Sequence, residues 1–178
     1  MTTFTRRIIL SAKLNPEIYE EVEADKGAFG QAMGVVVLAS LAAGIGSLRH
    51  IGIGGLLLGT LSALVGWLIW SYAAYFIGTR FLAEPQTRAT YGELLRTIGF
   101  ASAPGIIRIL GLIPELMAIS FAAAEVWMLV AMVVAIRQAL DYNTIWRAVA
   151  VCLIGWGVQA LLIGIVYSIF GGAAAPPQ

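Results

Sequence analysis

The sequence predicts an all-α protein: a bundle of five transmembrane helices, with the N-terminus cytoplasmic and the C-terminus outside. Three observations predict it. Hydrophobic residues make up 60% of the 178 residues and charged residues 12%, where soluble domains carry roughly 45–50% and about 25%. The apolar residues gather into runs long enough to cross a bilayer, which takes about 20 residues. The lysines and arginines are shared unequally between the segments that join those runs. A water-soluble chain of this size could not bury so much apolar surface, so most soluble enzyme classes are excluded. A net charge of +1 leaves no basic footprint for nucleic acid.

Taken in order, residues 1–26 read as a cytoplasmic segment holding a short interfacial amphipathic helix. Arg6 and Arg7 precede an apolar run of only Ile8, Ile9 and Leu10, too short for the roughly 7–15 residues of a signal peptide. No cleaved leader is expected. Asn15 can cap a helix, Pro16 fits its first position and Glu17 favours the positive end of its dipole. Leu14 and Tyr19 could staple its start, and Ile18 and Val22 share one face. Glu17, Glu20, Glu21, Glu23 and Asp25 read as a solvated face, since their spacing is not that of a calcium-binding loop.

Residues 27–170 hold the five predicted spans. No charge interrupts 27–48 or 51–79, and only Arg49 and His50 separate the two runs, which predicts a tight helical hairpin. The third span, about 91–113, opens on a capping box from Thr90 to Glu93 and contains Glu93, Arg96 and Arg108. Pro104 lies inside it and predicts a kink or break. The fourth span, about 116–136, carries Glu125; the fifth lies in the charge-free stretch after Ala148. Residues 171–178 form a short external tail. With the N-terminus inside, nine of the eleven lysines and arginines fall on the inner side and only Arg49 and Arg108 on the outer, as the positive-inside rule expects. Trp67, Trp70, Tyr72, Tyr75, Tyr142 and Trp146 fall near the inner interface, where aromatic rings are enriched.

Helices in lipid associate by close packing of small residues. Gly52, Gly55, Gly59, Ser62 and Gly66 recur at steps of three and four and mark one face of the second span, for packing within the bundle or for a homodimer. Smaller groups occur in the first span (Gly30 and Gly34, Ala39 and Ala43), the fourth (Ala124, Ala131, Ala135 and Ala139) and the fifth (Ala160 and Gly164).

Glu125 is the most costly residue in the chain. It lies about ten residues into the fourth span, near mid-bilayer, where an uncompensated carboxylate costs several kcal/mol. Arg108 can reach it from the third span, and Gln159 and Gln31 could add hydrogen bonds. Two readings follow: a polar clamp between helices, or a proton or cation site. No catalytic signature is present: no phosphate-binding loop, no H-E-x-x-H, no G-x-S-x-G. One histidine and one cysteine, His50 and Cys152, exclude an intrachain disulfide and a multi-histidine metal site within one chain. Neither Asn15 nor Asn143 lies in a glycosylation sequon. No enzyme activity, cofactor or metal is expected.

Several stretches carry a family likeness. Leu14-Asn15-Pro16-Glu17-Ile18-Tyr19-Glu20-Glu21-Val22, with Asp25 and Gly30-Gln31-Ala32, resembles the start of prokaryotic members of the YIP family (Yip-one domain, Ypt/Rab-interacting membrane proteins). Gly99-Phe100-Ala101-Ser102-Ala103-Pro104-Gly105 resembles its third-span motif. Trp127 to Ala131 and Ala135 to Leu140 resemble its fourth span and the following inner loop. The resemblance implies a five-helix protein of a prokaryotic plasma membrane. Eukaryotic members act in vesicle traffic with Rab-type GTPases. This chain lacks their D-L-Y-G-P signature and long N-terminal region, so a Rab partner is not expected. The expected function is a scaffold, assembly factor or accessory subunit, with the bilayer and other membrane proteins or a second copy as partners. The alternative is a small transporter or channel built around Glu125 and Arg108.

Overall fold

A computed structural model describes residues 3–170, with the side chains of 159, 160 and 162–170 outside the description. The described chain is all-α. Its helices are α1 (Thr3–Ala12), α2 (Pro16–Ala24), α3 (Phe29–Gly46), α4 (Leu48–Arg80), α5 (Tyr91–Ala101), α6 (Pro114–Ala139) and α7 (Ile145–Phe170). Two 3-10 segments, Lys26–Ala28 and Ala103–Leu112, lead into α3 and continue α5. Four helical stretches are long and apolar enough to cross a membrane: Lys26–Gly46, Leu48–Arg80, Tyr91–Leu112 and Pro114–Ala139. In α7 the described apolar part is Ile145–Val158. Ala160 and Gly164 of the fifth predicted span, and the predicted tail 171–178, lie outside the described residues.

The helix starts follow local chemistry. Asn15 accepts from the Glu17 amide at 2.8 Å, with Pro16 opening α2. Thr90 and Glu93 exchange the two bonds of a capping box at the start of α5, and Pro114 opens α6. α1 ends in a Schellman arrangement: Leu14 N–H donates to Ser11 O at 3.0 Å and Asn15 N–H to Leu10 O at 3.1 Å. The left-handed position, normally glycine, is Leu14 with φ 60°. α6 ends the same way through Asp141, φ 53°. α4 is broken near its start by Gly52, φ 62° and ψ −176°, a conformation open chiefly to glycine.

Successive spans alternate in direction. Phe29, at the start of α3, stacks on Trp67 of α4 at 5.8 Å, while Gly44 meets Leu56, so these two run antiparallel. The stretch from α5 to Leu112 runs parallel to α3 along a seam without bulk. Ala32 faces Gly99, Ala39 faces Gly105, and Gly46 faces Gly111. A Cβ on Gly99 would stand 2.8 Å from the Ala32 Cβ, and one on Gly111 would stand 2.8 Å from the Gly46 carbonyl. Seven residues of α-helix rise about 10.5 Å, and six residues of 3-10 helix about 12 Å. From Gly105 to Gly111, which lie in the 3-10 segment, the spacing of six therefore nearly matches the spacing of seven from Ala39 to Gly46.

The small-residue face of α4 behaves otherwise. Gly52, Gly59, Ser62 and Gly66 are exposed, and nothing lies within 4 Å of a Cβ built on Gly52, Gly59 or Gly66. A Cβ on Gly55 would crowd only Ile51 of its own helix. Of the expected face Gly52, Gly55, Gly59, Ser62 and Gly66, close packing against another helix of the chain is therefore not seen at Gly52, Gly55, Gly59 or Gly66. A quarter-turn of small side chains permits a close neighbour but does not supply one, and the seam on α3 has taken that role. Only 6% of the most apolar window of α4 is buried, against 67% in Tyr91–Leu112. Ile53, Leu58, Leu61 and Ile69 stand more than half exposed on α4, a surface suited to hydrocarbon and not to water.

The N-terminal segment departs from the single helix predicted for it. α1 and α2 form a helical pair laid on the bundle. Ile18, Tyr19 and Val22 are fully buried, where α2 meets α5 and α6. The Trp127 indole donates to Ala12 O at 2.8 Å. Arg7, 6% exposed, pairs with Glu21 at 2.9 Å and Asp25 at 2.8 Å and donates to Gln31 Oε1 at 3.0 Å. Arg6 also pairs with Glu21. Hydrogen bonds from Arg6 and Arg7 hold the Glu21 carboxyl below its ordinary range, and those from Arg7 do the same for Asp25. The acidic face is thus in good part an internal ionic contact, not a solvated one.

Arg96 completes that contact from α5. Buried to 7% exposure, it donates to the Val22 carbonyl at 2.9 Å and to the Glu23 carbonyl, neutralising the negative end of α2. Arg96→Met is expected to cost about 2–3 kcal/mol, the worth of charge-assisted bonds left unmade, and to release α2 first. Trypsin cleavage after Lys13 and Lys26 in detergent reads that release; an unchanged rate would mean that apolar burial alone holds α2.

Two aromatic residues expected at the inner interface turn inward. Trp67 donates to Leu95 O at 3.0 Å and Tyr142 to Gly78 O at 2.9 Å, and both are buried. Tyr72 and Trp146 remain exposed, at 56% and 76%.

Glu23 sets a pH dependence. Its carboxyl is pushed up to about 7, first by desolvation and then by Asp141 and Glu93, with Arg96 pulling the other way and Glu20 adding to the rise. A raised folded-state pKa favours the folded state below the unfolded value near 4.5, and the gain is lost as pH climbs through about 7. The docking of α2 should therefore weaken between these values. Glu23→Gln should flatten that slope, raising stability at pH 8 and leaving it unchanged at pH 4. Equal wild-type and variant melting temperatures at pH 8 would refute the assignment.

Candidate functional site

The break in the third span places the site. α5 ends at Ala101, Ser102 caps it, and Pro104 stands in the first turn of the 3-10 segment. A 3-10 run of ten residues is unusually long. It is held between α3 and α6, where the Arg108 carbonyl lies so near Gly46 that a Cβ there would overlap it. From this backbone position near the α3–α4 turn, the Arg108 side chain runs back along the bundle to Glu125.

Arg108 Nη2 donates to Glu125 Oε1, and its guanidinium lies 5.8 Å from the centre of the Phe121 ring. The Arg108 side chain is 13% exposed and that of Glu125 is 64% exposed. Arg108 Nε is buried with no hydrogen-bond partner. Glu125 stands about 17 Å along α6 from Pro114. The pair borders a cavity of about 320 Å³ between α3, α4 and α6. Trp67, Trp70, Trp156, Met128 and Met132 form its apolar wall; Ser40 and Ser102 are its other polar side chains. Trp70 stacks on Trp156 at 6.4 Å and directs its N–H to Met132 sulfur at 3.3 Å. A second cavity of about 270 Å³ runs from Arg108 toward Ser47 along Ser40, Gly44, Gly55 and Gly59. Arg108, Ser40 and Ala63 line both.

Arg108 and Glu125 are the ionisable side chains lining these two cavities. Arginine keeps its charge in proteins, so any proton exchanged here moves through Glu125. Among the described residues no three His, Cys, Asp or Glu side chains come together as a metal site.

The candidate residues divide clearly. Glu125 and Arg108 meet. Gln31 does not join them: it is bonded to Arg7 at the other end of α3, and its expected bond to Glu125 is corrected. Its position as the third residue of α3 puts it far from mid-span. The Gln159 side chain lies outside the described residues. Pro104 lines a third, separate cavity of about 380 Å³ with Ile8, Lys13 and Trp127. Of the small residues on α4, Gly66 borders the larger site cavity and Gly55 and Gly59 the smaller. Ser40, Ser102 and Trp156 were not singled out from the sequence. Ser102 precedes Ala103-Pro104, where a helix break exposes polar groups, and that was its available signal.

No protein-family model, curated protein or solved structure matches the chain.

Proposed function

We propose that this chain is a non-enzymatic multi-pass membrane protein that works by lateral helix packing, as a scaffold, assembly factor or accessory subunit for other membrane proteins. In this reading it has five spans, a cytoplasmic N-terminus and an external C-terminus. A prokaryotic plasma membrane is its address, and its likeness to the YIP family rests on the motifs quoted above. Alternating helix directions and the internal placement of Arg7 and Arg96 at one end of the bundle support that topology.

One observation carries the functional reading: the small-residue face of α4 is not closely packed by its own chain, since Gly59 and Gly66 border open cavities and nothing lies within 4 Å of a Cβ built on either. Its steps of three and four suit the close approach of a helix. The occupant proposed is a transmembrane helix of another membrane protein. Gentle extraction followed by native mass spectrometry should give a stoichiometric complex. Gly59→Leu with Ser62→Leu should dissociate it while leaving the melting temperature of the chain alone. A lone monomer, or a complex indifferent to the double substitution, would sink the proposal; a homodimer would move the face to self-association.

The cavity with its ion pair favours a second reading, a small transporter or channel. Glu125→Gln should then abolish flux in proteoliposomes while the protein still folds. A clamp predicts no measurable flux in either form.

A further inference from the structure

We propose that the Arg108–Glu125 cavity is a binding site for a zwitterionic amphiphile, a phospholipid carrying a phosphate and a primary ammonium. The argument is independent of the packing role. It begins with what the ion pair leaves over. Arg108 Nε is a buried donor with no acceptor, and such groups are rare because burial without a partner is costly. Glu125 has one carboxylate oxygen engaged by Arg108; the other has no bond, and the side chain, which lines the cavity, is 64% exposed. The site thus offers a guanidinium side chain, 13% exposed, and a charged acceptor side by side. An anion alone would answer Arg108 but meet Glu125; a cation alone would do the reverse. A ligand with both charges answers both.

The walls choose the remainder of the molecule. Below the pair the cavity is lined by Trp67, Trp70, Trp156, Met128 and Met132, a wall for hydrocarbon. Val65 and Val126, next in sequence to the lining residues Gly66 and Glu125 and each more than half exposed, present apolar surface to the bilayer. Its volume of about 320 Å³ is at the lower end of ligand pockets, enough for a headgroup with the start of its chains and not for a whole lipid. The smaller cavity gives the headgroup a route. It leads from Ser47, at the end of α3, past Ser40 to Arg108. Ser47 and Ser40 spend their hydroxyl hydrogens on Ala43 O and Val37 O, so along this route they present acceptor oxygens, suited to an ammonium.

The test uses the full chain in nanodiscs of equimolar phosphatidylethanolamine and phosphatidylglycerol, followed by native mass spectrometry of the retained lipid. One phosphatidylethanolamine per chain is expected, enriched about ten-fold over the bilayer ratio, the size of one charge-assisted bond. Glu125→Gln should keep a bound lipid and bring that ratio to about one. Gly66→Leu leaves the ion pair untouched and grows into open space; it should empty the site. Retained lipid that mirrors the bilayer in the wild type overturns the proposal, as does enrichment that survives both substitutions. Soluble phosphoethanolamine should not displace the lipid; if it does, the site takes a free headgroup and the amphiphile assignment fails.

Discussion

Replacing Gly46 with valine is expected to prevent the bundle from folding, while the same change at Gly59 should pass almost unnoticed. Both are glycines in apolar spans, and sequence alone ranks Gly59 as the more constrained. In the structure a Cβ on Gly46 overlaps the Arg108 carbonyl and touches the Phe121 ring at 3.3 Å, whereas nothing lies within 4 Å of one on Gly59. The obstacle at Gly46 is backbone, which cannot turn aside as a side chain can. Overpacking costs about 1–3 kcal/mol where side chains can adjust, so Gly46→Val should exceed that range. Gly59→Val should change stability by about 0.5 kcal/mol or less. Thermal unfolding in detergent, followed by loss of monodisperse protein, compares the two. Similar melting temperatures would mean that the seam between α3 and the 3-10 segment is looser than its spacing indicates.

Removing Arg108 should be worse than removing the whole ion pair. Arg108→Met leaves a carboxylate in the middle of a span with no counter-charge. Losing one partner of a buried pair costs about 3–5 kcal/mol. Arg108→Met with Glu125→Leu removes both charges, and well-packed apolar replacements of a pair are often neutral or better. The double variant should therefore melt well above Arg108→Met and near the wild type. Glu125→Gln should fall between, since an amide still accepts from Arg108. A double variant no better than Arg108→Met would show that the arginine matters for its packing against Phe121 and not for its charge.

The spans were legible because hydrocarbon thickness demands long apolar runs, and composition displays such runs directly. The break at Pro104 was legible because proline removes a backbone donor whatever surrounds it. The meeting of Arg108 with Glu125 followed from depth and side-chain reach. Other features were not local. α1 is short and moderately apolar, and its buried Arg7 makes sense only beside Glu21, Asp25 and Gln31, which lie on other elements. The seam of Ala32, Ala39 and Gly46 against Gly99, Gly105 and Gly111 was hidden by its periods, seven on one side and six on the other. The step of six from Gly105 to Gly111 has meaning only once that stretch is known to wind as a 3-10 helix. The face on α4 misled for a different reason: residue size shows that a neighbour is permitted, not where it comes from.

The ten-residue 3-10 segment also has a mechanical consequence. A 3-10 helix advances about 2.0 Å per residue and an α-helix about 1.5 Å, so Ala103–Leu112 holds about 5 Å of extra length over its α form. Rewinding would also turn its far end by about 200°, from the difference between three and 3.6 residues per turn. Arg108 lies on this screw. Whatever grips Arg108, whether Glu125 or a bound ligand, therefore opposes both the shortening and the rotation, and a distance between spin labels at Thr97 and Leu112 would register the stroke when that grip is released.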